Sequence, residues 1–136
     1  MISVQSIIDA PIEKVWDLWT LPKHIIKWNY PSEEWQTIAA ENDLKINGKF
    51  KYTMQTKDKS AAFDFEGIYT DVKVLSQIEY KLFDNRTGSI HFEENDNIVK
   101  ITEIFEPNTH DSKSMQEQWC QAVIDNFKTY VELSKL

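Results

Sequence analysis

Two periodicities divide the chain into three regions. Ile12, Val15, Trp16 and Trp19 recur at the three-and-four spacing of one helix face, while Glu13, Lys14 and Asp17 fall on the other. From Trp35 to Phe105 the period drops to two, the mark of strands with one buried and one solvated side. Phe50, Tyr52 and Met54 alternate with Lys49, Lys51, Thr53 and Gln55, and Phe63, Phe65 and Tyr69 alternate with Asp64, Glu66 and Thr70. The same alternation over 77–83 (Ile78, Tyr80, Leu82), 88–94 (Ile90, Phe92) and 98–106 (Val99, Ile101, Phe105) predicts three more strands. Beyond His110 the helical period returns as a stripe of Met115, Trp119, Val123, Phe127, Tyr130 and Val131, long enough to cross a sheet.

Turn and capping residues punctuate the same elements. Residues 1–8 are β-branched and apolar and read as a strand. Asp9 is then a candidate N-cap, with Pro11 at an early helical position where its missing N–H costs nothing. Leu21-Pro22 breaks that helix, and a second short one follows through Ile25, Ile26 and Trp28. The polar linker 57–60 suits a hairpin, Asp84-Asn85-Arg86 and Asn95-Asp96-Asn97 supply turn chemistry, and Asp111 or Ser112 can cap the last helix. Connections this short predict an antiparallel meander. The order strand, two helices, six strands, long helix therefore predicts an α+β fold in which the sheet curls and the last helix fills its concave side.

Composition narrows the function. A chain of 136 residues supports one core, so a single domain over 1–136 is expected. Seventeen aromatic residues, five of them Trp, are a bulky apolar set for so few layers, and some of the rings are expected to line a cavity. A net charge of −7, with Lys interleaved among Asp and Glu, argues against a nucleic-acid partner and against an anionic membrane surface. The start MISVQSIIDAP has neither the basic and apolar regions nor the cleavage site of a secretory signal, no stretch has the roughly 20 apolar residues of a membrane span, and a cytoplasmic setting is the expectation. The single cysteine, Cys120, leaves no internal disulfide and no Cys-rich metal site. His24, His91 and His110 are too scattered to propose a metal centre, and with three Gly there is no phosphate-cradling loop and no nucleophile elbow. Neither metal nor cofactor is expected. Pairing through an open strand edge would give at most a weak homodimer, so monomer or weak homodimer is the expected state.

The segments DAPIEKVWDLWTLPKHIIKWN, AENDLKINGKFKYTM, FDFEGIYTDV and MQEQWCQAVIDNFKTYVE, in this order, resemble the small bacterial proteins of the heat-shock-protein-90 ATPase activator-like family. That family belongs to the START-like (SRPBCC) helix-grip superfamily, which also holds polyketide cyclases and aromatic-ligand carriers. The resemblance implies a curved antiparallel sheet gripping a long C-terminal helix around an apolar cavity, and it implies ligand binding, cyclase-like chemistry or contact with a chaperone as the functions to weigh. Two positions depart from the pattern. Gln36 in WNYPSEEWQT stands where a His is frequent, which removes a possible general base, and Gln118 stands where Gly usually precedes Trp119.

Among polar candidates Glu103 stands out, because its parity matches Ile101 and Phe105 on the inner face, where desolvation would raise the pKa of a carboxyl. The bland alternatives are a strand-end bulge turning it to solvent or a pairing with Tyr52 or another polar side chain. Asp64 and Glu66 are expected at the surface, and Cys120 is expected to be a small, half-buried thiol rather than a nucleophile. The aromatic set Trp28, Trp35, Phe50, Tyr52, Phe63, Phe65 and Trp119 reads as core by default and as cavity lining in part. Phe50, Tyr52, Met54, Phe65, Glu103, Trp119 and Val123 are the expected ligand-binding residues, with no catalytic residue assigned. The leading expectation is a module for a small apolar or aromatic molecule, and the alternatives are an enzyme using Glu103 or Tyr52 for proton transfer, and a protein-interaction module. Trp119 is expected to be a buried anchor whose truncation to Ala costs about 3–5 kcal/mol.

Overall fold

A computed structural model describes residues 1–135 and their secondary-structure elements. They follow in the order β1 (Ile2–Ile8), α1 (Ile12–Thr20), α2 (Pro22–Trp28), β2 (Trp35–Asn42), β3 (Lys49–Thr56), β4 (Ala62–Lys73), β5 (Gln77–Leu82), β6 (Thr87–Asn95), β7 (Ile98–Phe105) and α3 (Lys113–Leu133). All seven strands join one antiparallel sheet in the order β1-β7-β6-β5-β4-β3-β2, so the first strand closes against the last. The period-two pattern is realised most plainly in β1, where buried and exposed residues alternate without a break.

Curvature has identifiable sources. Register shifts lie between Thr37 and Ala39 in β2 and between Tyr69 and Asp71 in β4, and an extra residue in one strand bends it and adds twist. The long strand β4 pairs with β3 through its first half and with β5 through its second, and Gly67 is opposite Phe50 on one side and Leu82 on the other. A Cβ on Gly67 would lie 2.4 Å from the Lys81 carbonyl oxygen, so the close approach of strands at this bend requires glycine. Asp96 and Asn97 both have positive φ (53° and 62°), as a tight turn between β6 and β7 demands.

Helices α1 and α2 plug one end of the curled sheet. The face of α1 is the expected one at Ile12, Val15 and Trp16, but Leu18 is buried while Trp19 is only half-buried, and the helix cap is not Asp9. A tight turn, closed by Ala10 N–H on the Ile8 carbonyl, leaves Pro11 in the position before the helix. The Ile12 N–H is instead satisfied by Glu94 Oε2 of β6 at 3.0 Å, and Asp9 offers its own N–H to Glu132 of α3. In α2, Ile25 and Trp28 are buried while Ile26 is exposed. Ser112 caps α3, accepting the Met115 N–H at 3.0 Å.

Helix α3 departs from its expected stripe. Ile124, Phe127 and Val131 are its buried residues, Trp119 and Val123 are half-buried, and Met115 is 58% exposed. No helix among the described residues is long and apolar enough to cross a membrane.

Candidate functional site

Between the concave face of the sheet and the N-terminal half of α3 lies a cavity of about 520 Å³. Its floor is a run of rings from adjacent strands: Phe50 lies 5.0 Å from Tyr69, 5.6 Å from Tyr52 and 5.7 Å from both Phe65 and Tyr80, measured between centroids. Its mouth is a triad contributed by three elements, Trp35 of β2, Phe63 of β4 and Trp119 of α3, with centroids 5.1–6.0 Å apart. Edge-to-face contacts of this kind hold α3 against the far side of the sheet. Tyr80 reaches the cavity because Gly88 stands opposite it on β6: a Cβ there would lie 2.3 Å from the phenol ring.

The polar groups lie along the cavity wall, Tyr80 buried and Tyr52, Glu103 and Cys120 half-buried. Glu103 projects from β7 between Val4 of β1 and Ile90 of β6, both buried, and its carboxyl borders the cavity. The residue is half-buried, its carboxyl open to the cavity, and among the described residues it has no hydrogen-bond or ion-pair partner. Burial pushes its pKa up to about 7, from 4.5. It neither bulges to solvent nor pairs with Tyr52. Burial also pushes the Tyr52 hydroxyl up to about 12, against the lowering effect of its hydrogen bond with Tyr69 and with the Glu103 charge adding to the rise. The Tyr80 hydroxyl and the Cys120 thiol are raised by burial first and by Glu103 second, so Tyr52, Tyr80 and Cys120 surround the carboxyl from β3, β5 and α3.

A relay fixes one wall. Asn42 donates its amide to the Thr20 carbonyl at the end of α1 (2.6 Å), which turns its Oδ1 to accept from the Tyr69 hydroxyl, beside that of Tyr52. Arg86 and Glu106 mark the opposite rim: Arg86 is paired with Asp84 at 2.8 Å, and Glu106 accepts from the Thr87 hydroxyl at 2.7 Å.

All seven expected binding residues, Phe50, Tyr52, Met54, Phe65, Glu103, Trp119 and Val123, border this one cavity. Phe50 and Met54 are only 3% exposed and serve the core as much as the cavity wall. Trp119 is half-buried at the mouth, not a core anchor: its ring packs against Trp35 and Phe63 and otherwise borders the cavity. Tyr69, Tyr80, Arg86 and Cys120 are further wall residues. The inward parity of Tyr69 and Tyr80 was visible in the sequence, whereas Arg86 sits in a turn that no periodicity places.

The remaining candidates lie elsewhere. Asp64 is exposed at the mouth, bound to Thr53 at 2.7 Å and near Lys51. His24 is buried against α3, its Nδ1 at 2.6 Å from the Tyr130 hydroxyl, and His91 meets Ser89 at 3.0 Å. Gln36 pairs with Gln55 on the outer side of the sheet and does not border the cavity, so its replacement of a His removes no base from this site.

The sequence profile described as Activator of Hsp90 ATPase homolog 1-like protein matches residues 9–132. The chain belongs to this family. The match reaches from the turn before α1 to the end of α3 and so spans the whole cavity wall. Among solved structures, an AHSA1-like protein from Aeromonas hydrophila is 32% identical, covering 96% of this chain and 92% of its own, with a TM-score of 0.87. A protein from Cytophaga hutchinsonii is 42% identical over 96% of this chain and 91% of its own, with a TM-score of 0.84. A Nitrosomonas europaea protein, 17% identical with a TM-score of 0.80 over 96% and 92% of the two chains, shares the fold. No curated protein matches the chain. Family and neighbours agree on the START-like helix-grip fold, which is compatible with ligand binding.

Proposed function

We propose that the protein binds a small apolar or aromatic molecule between the sheet and α3, with a polar group of that molecule oriented by Glu103 and Tyr52. The observation that carries this is a ring-lined space of about 520 Å³ with an unpartnered carboxyl at its wall. That volume is in the range of small-molecule sites, and mostly apolar walls with a few convergent polar groups are their usual chemistry. A close-packed core leaves few voids larger than a water molecule, so a space this large is costly unless it is used. A cytoplasmic setting and a monomeric or weakly dimeric state accompany this proposal.

The test is native mass spectrometry of the purified chain, followed by a thermal-shift screen against fatty acids, flavonoids, isoprenoids and aromatic polyketides. A retained mass, or a stabilisation that grows with ligand concentration, supports the proposal. Neither retained mass nor shift with any class counts against it.

One observation favours a second reading. A carboxyl that titrates near neutrality beside a tyrosine hydroxyl is suited to general acid–base work. On that reading Glu103→Gln abolishes turnover of any substrate found, while unchanged turnover rules out Glu103 as the proton carrier. Chaperone contact, which the family description carries, would use the exterior instead, where Phe63 and Met115 are 42% and 58% exposed beside the mouth.

A further inference from the structure

The chemistry of the wall narrows the ligand further, on the reading that the cavity binds a small molecule. Charged side chains bordering the cavity are four carboxylates, Asp64, Glu103, Glu106 and Asp111, against the single guanidinium of Arg86. Arg86 is already held by Asp84 at 2.8 Å, which leaves Glu103, the deepest of the acids, with no counter-charge. Glu103 is half-buried and opens on the cavity, so a cation entering among apolar walls finds there a carboxylate that no basic group of the protein already neutralises. The surrounding rings are the second feature. Trp35, Phe63 and Trp119 at the mouth and Phe50, Phe65 and Tyr80 at the floor line the cavity, and aromatic rings attract cations over their faces and do not favour anions there. The net charge of −7 adds a long-range bias of the same sign.

We propose that the cavity selects a hydrophobic organic amine, its ammonium group set against the Glu103 carboxylate and its apolar body among the aromatic rings. A carboxylate ligand meets like charge at the wall. A neutral alcohol gains the apolar contacts without the ion pair, so the preference for amine over alcohol reports the proposed contact directly.

Proton and amine then compete for one carboxyl. The groups facing Glu103 are Tyr52 of β3, Tyr80 of β5 and Cys120 of α3, all raised by burial, together with the apolar Val4 and Ile90, so Glu103 alone among them titrates between pH 6 and pH 8. Below a pKa of about 7 the carboxyl holds its proton and the amine loses its partner.

The experiment is calorimetric titration of the full chain with three matched probes, naphthylethylamine, naphthylethanol and naphthylacetate, at about pH 8 and about pH 6. At the higher pH the amine binds at least roughly tenfold tighter than the alcohol, an advantage that Glu103→Gln removes. Lowering the pH weakens the amine by roughly tenfold and leaves the alcohol unchanged. This pH arm uses the native chain and decides the matter even where the variant is poorly folded, which its thermal midpoint shows. Amine no tighter than alcohol, or tightest binding by naphthylacetate, overturns the amine while the cavity remains a ligand site. Binding by none of the three overturns the amine, and the mass-spectrometric and thermal-shift screen then decides separately whether the cavity is a ligand site.

Discussion

Along α3 the residues at 124, 127 and 131 are buried in the hydrophobic core, whereas those at 119, 120 and 123 border the cavity. At the closed end the Phe127 ring lies 4.7 Å from Trp28 and 4.9 Å from Trp19, Trp16 meets Phe92 at 5.1 Å, and the Trp28 indole N–H is satisfied by the Leu18 carbonyl at 2.8 Å. The helix ends there are tied in as well: Asn126 donates to the Trp28 carbonyl at 2.8 Å, and His24 meets Tyr130. At the cavity end the same helix is held by the Trp35–Phe63–Trp119 contacts, and the space beneath them contains a carboxyl without a partner. One half of the grip is built to hold the fold together and the other to leave room. Stability and binding should therefore separate along one helix.

The largest expected effect is at the closed end. Phe127 is fully buried, and Phe127→Ala removes a ring that touches Trp19 and Trp28 without leaving polar groups to fill the gap. The loss should be about 3–5 kcal/mol in urea unfolding. A loss below about 1 kcal/mol would mean that the cluster is not the anchor and would erase the contrast between the two ends.

Glu103 sharpens the contrast through pH. The unfolded chain ionises this carboxyl near 4.5, while the folded chain keeps the proton up to about 7. Between those values the folded state binds more protons, so stability falls as pH rises through the window and is flat above it for this group. Glu103→Gln removes the dependence. The variant should match the native chain at about pH 4 and exceed it at about pH 8, by at most ~3 kcal/mol, with contact between the carboxyl and cavity water reducing that figure. Thermal melts of both proteins across this range check it, and a variant less stable at high pH would show that the carboxylate has a partner in the fold.

How much of this was legible in the sequence depends on the range of the determinant. Parity is local, so the inward direction of Glu103 followed from Ile101 and Phe105, and that of Tyr52 from Phe50 and Met54. The helix-grip order followed from where the period changed. The α1 cap was not legible, because its acceptor is Glu94, 82 positions away on a strand, and Asp9 was the nearest residue of the right type. The phase of α3 was also obscured, since the stripe with Met115 and without Ile124 fits a helix nearly as well, and only the crossing over β1 selects Ile124, Phe127 and Val131. The pairing of Gly88 with Tyr80, which opens space for the phenol ring, depends on a strand register that alternation does not specify.

Trp119 gives the smallest expected loss of stability and the most direct separation of the two roles. Its ring is half-buried and makes two aromatic contacts, with Trp35 at 5.1 Å and Phe63 at 6.0 Å, each worth about 0.5–1.5 kcal/mol. Trp119→Ala should thus cost about 1–3 kcal/mol, below Phe127→Ala, although indole is the larger ring. The same truncation widens the mouth and removes a π face from the cavity, so any ligand that binds the native chain should be released faster from the variant in stopped-flow measurements. If Trp119→Ala costs as much as Phe127→Ala, the N-terminal half of α3 is packed as core and the division between the ends fails. If it costs little and leaves ligand release unchanged, the mouth lies elsewhere, toward Arg86 and Glu106 at the opposite rim.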